Sequence, residues 1–143
     1  EDFEYTPVIF NAYQSHEGKR LPIYHTNVMM CVAEEFAVIC LDTIDDKKEL
    51  KLVADSLVQD GKEIITISEE QMNNFAGNML QVQGENEKFL VMSKTAHDSL
   101  TEKQIQSIEK HCKILSSDLS TIETHGGGSA RCMLAEVFMP KAI

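Results

Sequence analysis

Two apolar runs, Asn27-Val28-Met29-Met30-Cys31-Val32 and Phe36-Ala37-Val38-Ile39-Cys40-Leu41, follow each other with only Ala33-Glu34-Glu35 between them. Both are almost continuously hydrophobic, a pattern that suits strands covered on both faces, as in a sheet layered with helices. A helix is expected next. Asp46 with Glu49 three residues on resembles a capping box, Leu50, Val53, Ala54, Leu57 and Val58 form an apolar stripe, and Gly61 stands where a C-terminal glycine cap belongs. Glu63-Ile64-Ile65-Thr66-Ile67 then reads as a short strand.

The same order of elements returns. Asn78-Met79-Leu80-Gln81-Val82-Gln83 is strand-like, Gly84 to Glu87 a turn, and Lys88-Phe89-Leu90-Val91-Met92 a strand. Thr101 with Gln104 caps a helix whose buried stripe is Ile105, Ile108 and Cys112, and Lys113-Ile114-Leu115 closes the unit. Arg131-Cys132-Met133-Leu134-Ala135-Glu136-Val137-Phe138 reads as the opening strand of a third copy. The chain is therefore α/β, built of strand–strand–helix–strand repeats of about 50 residues, a period that signals a propeller-like array. Ahead of the repeats, residues 8–25 are expected to form a hairpin, Val8–Tyr13 turning at Ser15–Lys19 into Leu21–His25. The units then occupy 26–67 and 76–116, with a further strand within 129–139.

Composition narrows the partners. With 143 residues and 43% hydrophobic content, the chain is one domain's worth of sequence. Its net charge of −10, without a Lys/Arg cluster, argues against nucleic acid and anionic membranes. No apolar stretch approaches the roughly 20 residues of a membrane span, and nothing resembles a signal peptide. Cys31, Cys40, Cys112 and Cys132 lack C-x-x-C or zinc spacing, so a reduced, cytoplasmic setting is expected, with the first three as core fillers. The five histidines lack i, i+4 metal spacing, so no metal site is expected from the sequence.

The chemistry is expected where the repeats coincide. Asn27, Asn78 and Cys132 occupy the same place in successive units, and around a common axis they would face one pocket. Cys132 follows Gly126-Gly127-Gly128, a loop free of Cβ atoms that lets a ligand come close. A lone cysteine is more often a buried small hydrophobe, and asparagine often merely starts a strand; three aligned polar positions weigh against coincidence. A thiol needs a partner to be a nucleophile near neutral pH. His25, two residues before Asn27, is expected on the same strand face as Asn27 and is one candidate. His125, in the glycine loop itself, is the other. A phosphate-cradling role for Gly126–Ser129 has little support, because no Walker-type Lys follows.

Tyr24-His25-Thr26-Asn27-Val28-Met29-Met30, Gly77-Asn78-Met79-Leu80-Gln81 and Gly126-Gly127-Gly128-Ser129-Ala130-Arg131-Cys132-Met133 resemble the guanidino-group-modifying, or pentein, superfamily. The superfamily takes in arginine deiminases, dimethylarginine dimethylaminohydrolases and amidinotransferases. The nearest resemblance is to the bacterial amidinotransferase-like subgroup of citrulline or arginine use. It covers nearly all of this chain but only the C-terminal half of the family's. It implies a five-bladed propeller of ββαβ units with an axial active site and no cofactor. It further implies that Cys132 attacks a guanidino or ureido carbon, that His25 acts as acid and then base, and that Asn27 and Asn78 bind substrate. Asn27 stands where arginine deiminases carry an Asp, which would favour a neutral ureido group such as that of citrulline. The family's substrate-binding carboxylates come from blades that this sequence does not contain. The N-terminal half is therefore an expected partner, in the same protein or as a separate chain, and Glu1 in place of Met agrees with a clipped start. A non-catalytic amino-acid-binding or regulatory module of the same fold is the alternative.

Overall fold

The structure, a computed structural model, describes residues 5–136. Strands β1 (Tyr13–His16) and β2 (Lys19–Pro22) form an antiparallel hairpin. Its turn is made by Glu17 and Gly18, with φ of 49° and 75°. The hairpin is thus shorter than expected. Val8 to Ala12 lie outside any strand, although Ile23 still donates its N–H to the Ala12 carbonyl at 2.8 Å.

A short helix α1 (Thr26–Met29) leads into β3 (Met30–Val32) and then β4 (Phe36–Ile39). Helix α2 (Lys47–Gln59) crosses to β5 (Glu63–Thr66). In this sheet β3 pairs antiparallel and β5 parallel with the central β4. A brief α3 (Glu69–Asn73) precedes the second sheet of β6 (Leu80–Gln83), β7 (Lys88–Ser93) and β8 (Lys113–Ser117). Its crossover is α4 (Lys94–Ser99) followed by α5 (Glu102–Glu109). The second sheet repeats the order and directions of the first, with β7 at its centre. Helix α6 (Ser120–Gly126) and a 3-10 turn at Ala130–Met133 follow.

Every residue from Phe36 to Cys40 is fully buried, as strands covered on both faces require. Leu90 and Met92 do the same in β7. Full burial of side chains of this size contributes roughly 1.5–3 kcal/mol each. On α2 only Val53 and Leu57 are fully in the core, and Val58 faces solvent, so the stripe is narrower than its spacing predicts.

The local signals operate largely as written. Gly61, at φ 74°, donates to the Val58 carbonyl and Lys62 to that of Leu57, closing α2. Asp46 caps the Lys48 and Glu49 amides at 2.7 and 3.1 Å. Glu49 does not complete the box; it turns to the Asn11 amide and side chain instead. Ser68–Gln71 and Thr101–Gln104 are complete capping boxes, and their glutamines meet at 2.8 Å. Gln104 also donates to the Thr66 carbonyl at 2.7 Å, so helix starts in successive units are tied together.

Two strand expectations fail. Asn27-Val28-Met29 is helical, with His25 as the residue preceding α1, so His25 and Asn27 do not share a strand face. Residues 130–133 form a 3-10 turn rather than a strand, and positions 137–139 of that expected strand lie outside the described residues. Both breaks fall next to the polar positions, where side-chain hydrogen bonds outcompete strand pairing.

Candidate active site

Helix α1, the loop before β6 and the turn after α6 bring Asn27, Asn78 and Cys132 together. Asn78 is 4% exposed, and each end of its amide is engaged. Its Nδ2 donates to the Asn27 carbonyl at 2.9 Å and to the Cys132 Sγ at 3.2 Å. Its Oδ1 accepts the Arg131 N–H at 3.0 Å. Asn27 directs its own Nδ2 to the same sulfur at 3.8 Å. Two amides from separate repeat units thus point their N–H edges at one thiol.

Cys132 is the exposed one of four free cysteines; Cys31, Cys40 and Cys112 are buried. Burial pushes the Cys31 thiol up to about 12 and the Cys40 thiol to about 11, and also raises Cys112, so these three stay protonated near neutral pH.

Cys132 opens into a cavity of about 470 Å³ that it shares with His25, Asn27, Asn78, Gly128 and Gln14 of β1. His25 is brought there by the chain leaving the hairpin, at the start of α1 rather than along a strand. His125 lies exposed on α6 and is not part of this wall. No carboxylate lines the cavity among the described residues. A larger groove of about 960 Å³ runs between β3 and β6, past Cys31, Gln81 and Arg131, but contains neither Cys132 nor His25. Cys132 and His25 line the smaller cavity together.

Three contributions carry no signal in the sequence. Gln14 reaches the cavity through the hairpin, which only folding places there. Phe75, also on the wall, holds φ 64°, the left-handed region that a bulky residue enters only under strain. Glu123 and the fully buried Ser129 hydrogen-bond at 2.6 Å behind the glycine loop. Among the described residues no group of three metal-ligating side chains is assembled, and no helix is long and apolar enough to cross a membrane.

The paired β–β–α–β sheets make this a mixed α/β protein. The chain belongs to the N,N dimethylarginine dimethylhydrolase family, eukaryotic, whose profile matches residues 1–139. The structure of ArgZ, an arginine dihydrolase from the ornithine-ammonia cycle in cyanobacteria, is similar in fold. It superposes with a TM-score of 0.62 at 17% identity, over 82% of this chain and 17% of that one. The ternary complex of AgrE with ornithine and NAD+ gives 0.61 at 21% identity, over 84% of this chain and 16% of that one. The chain thus spans about a sixth of the length of these solved proteins. No curated protein sequence matches it.

Proposed function

We propose that this chain carries the nucleophile-bearing part of a hydrolase or amidinotransferase acting on the guanidino or ureido carbon of arginine- or citrulline-like small molecules. The observation that carries this reading is the convergence of the Asn27 and Asn78 amides on the exposed Cys132 thiol, in a cavity shared with His25. Family membership and the fold of the arginine dihydrolase support the substrate class.

In the proposed reaction the Cys132 thiolate adds to the planar carbon, forming a C–S bond and a tetrahedral adduct. His25 gives a proton to the departing nitrogen as the C–N bond breaks, leaving a covalent S-linked intermediate. It then takes a proton from water, or from an acceptor amine in a transferase, whose attack releases the thiolate. The Asn78 and Asn27 N–H groups stabilise the sulfur as it leaves. With amides rather than carboxylates beside the thiol, a neutral ureido group such as that of citrulline suits this part of the cavity better than a full cation.

The remaining part of the ring is the proposed partner, in the same protein or as a second chain. It would cover the open groove between β3 and β6 and bring the carboxylates that bind the substrate's nitrogens.

The test is an assay of the intact protein against arginine, citrulline, agmatine and methylated arginines, following ammonia and urea. Turnover of one of these, abolished in Cys132→Ser and strongly reduced in His25→Ala, is expected. Labelling by chloroacetamidine should fall on Cys132 far faster than on the buried cysteines. Equal, slow labelling of all four without turnover would point to an amino-acid-binding module instead.

A further inference from the structure

We propose that Glu123 is a positioning residue for Cys132, tethering the glycine loop that carries the thiol; the proposal rests on reading Cys132 as the nucleophile. Gly126 ends α6, and Gly127, at φ 67°, and Gly128 separate it from Ser129. A run of two glycines outside the helix fixes little by itself, because each has wide conformational freedom. The position of Cys132 must therefore be set from outside the run.

The contacts show how. Ser129 is fully buried, and its carbonyl accepts the Cys132 N–H at 3.1 Å, so it is the fixed point from which the thiol projects. Its hydroxyl donates to Glu123 Oε1 at 2.6 Å. Glu123 Oε2 accepts from the Thr95 hydroxyl at 2.7 Å. Thr95 lies in α4, which is capped by the buried Ser93 at the end of β7. A rigid line thus runs from the core strand through Thr95 and Glu123 to Ser129 and then Cys132. Glu123 itself is not on the cavity wall.

Space is short where the line ends. A Cβ on Gly128 would lie 3.1 Å from both Cβ and Sγ of Cys132, so loop and thiol move together. Desolvation pushes the Glu123 carboxyl up, but hydroxyl donation from Ser129, Ser93 and Thr95 outweighs it and holds the group below the ordinary range. Both oxygens are therefore acceptors near neutral pH.

The experiment measures alkylation of Cys132 by chloroacetamidine and by iodoacetamide in the intact protein, read by peptide mass, alongside thermal midpoints. Glu123→Ala and Ser129→Ala should each slow chloroacetamidine labelling about tenfold, since small misplacements of a reacting group have effects at least this large. Iodoacetamide, whose iodide leaves more readily and which therefore depends less on a precisely placed thiol, should slow less. Glu123→Gln keeps an acceptor for Ser129 and should restore most of the rate. The double variant Glu123→Ala with Ser129→Ala should be no slower than either single one, because the two act through one bond. A wild-type rate in folded Glu123→Ala, or equal slowing with both reagents, would overturn the proposal. If Glu123→Ala does not fold, a wild-type rate in Ser129→Ala overturns it equally. Wild-type Cys132 reacting no faster than the same thiol in unfolded protein would refute the nucleophile reading itself, and this one with it.

Discussion

Asn78 combines two duties in one side chain, and its substitutions separate them. Its Oδ1 holds the Arg131 amide while its Nδ2 faces the Asn27 carbonyl and the Cys132 sulfur. Asn78→Ala leaves the part-buried Asn27 carbonyl without its partner and the Arg131 amide with only its longer bond to the Asn78 backbone carbonyl, which should cost about 1–2 kcal/mol of stability. Denaturant midpoints compared at equal slope would measure it. Asn78→Asp keeps the shape and the bond to Arg131 but sets a carboxylate oxygen against the sulfur. Repulsion between like charges disfavours negative charge building up beside that oxygen, so labelling of Cys132 at fixed pH should slow several-fold. An unchanged rate would show that Nδ2 exerts no influence on the thiol.

At the scale of elements, the β1–β2 hairpin is exposed, yet it delivers Gln14 and leads to His25. Arg20 anchors it, donating to Asp45 and Glu69 and, at 3.0 Å, to the Asp42 carbonyl. Glu69 also accepts the Ser15 N–H at 2.9 Å. Partial burial pushes the Glu69 carboxyl up, but the Ser15 amide and the Arg20 guanidinium outweigh it and hold the group below its ordinary range. A depressed folded value means the clamp's stabilisation is complete above the unfolded value of about 4.3 and is lost as pH falls through the folded value. The difference in thermal midpoint between wild type and Glu69→Gln should therefore be largest near neutral pH and shrink on acidification. A difference that grew below pH of about 4 would contradict the sign.

At the scale of the molecule, the two repeat units meet where Gly77 passes α1. A Cβ there would lie 2.4 Å from the Val28 carbonyl oxygen and 2.8 Å from the Met29 carbonyl carbon. Backbone atoms cannot rotate aside as a side chain can, so Gly77→Ala must part the units. Overpacking of this kind should cost about 3 kcal/mol, seen as a lower thermal midpoint. Cys132 labelling should slow with it, because Asn27 and Asn78 come from opposite sides of that contact. His111 supplies a second link, stacking on Phe36 at 5.3 Å between centroids and meeting Glu63 at 3.0 Å. For the open groove between β3 and β6, the ring-completion proposal predicts that the chain alone self-associates or elutes with a companion fragment. A monodisperse monomer by gel filtration and intact mass would count against it.

The sequence by itself determined the double β–β–α–β order, the buried central strands and the helix caps. Those features depend on the spacing of apolar residues and on hydrogen bonds within a few positions, which local chemistry decides. It also singled out Asn27, Asn78 and Cys132, because a repeat places equivalent residues equivalently. The backbone around them was another matter. Asn27 lies in a helical turn and Cys132 in a 3-10 turn, where contacts with residues more than 50 positions away replace strand pairing. Gln14 on the cavity wall, the strained Phe75 and the Thr95–Glu123–Ser129 line were decided only in three dimensions. Each joins segments whose separation along the chain leaves no period or motif to read, and only the packing of the core brings them within hydrogen-bonding reach.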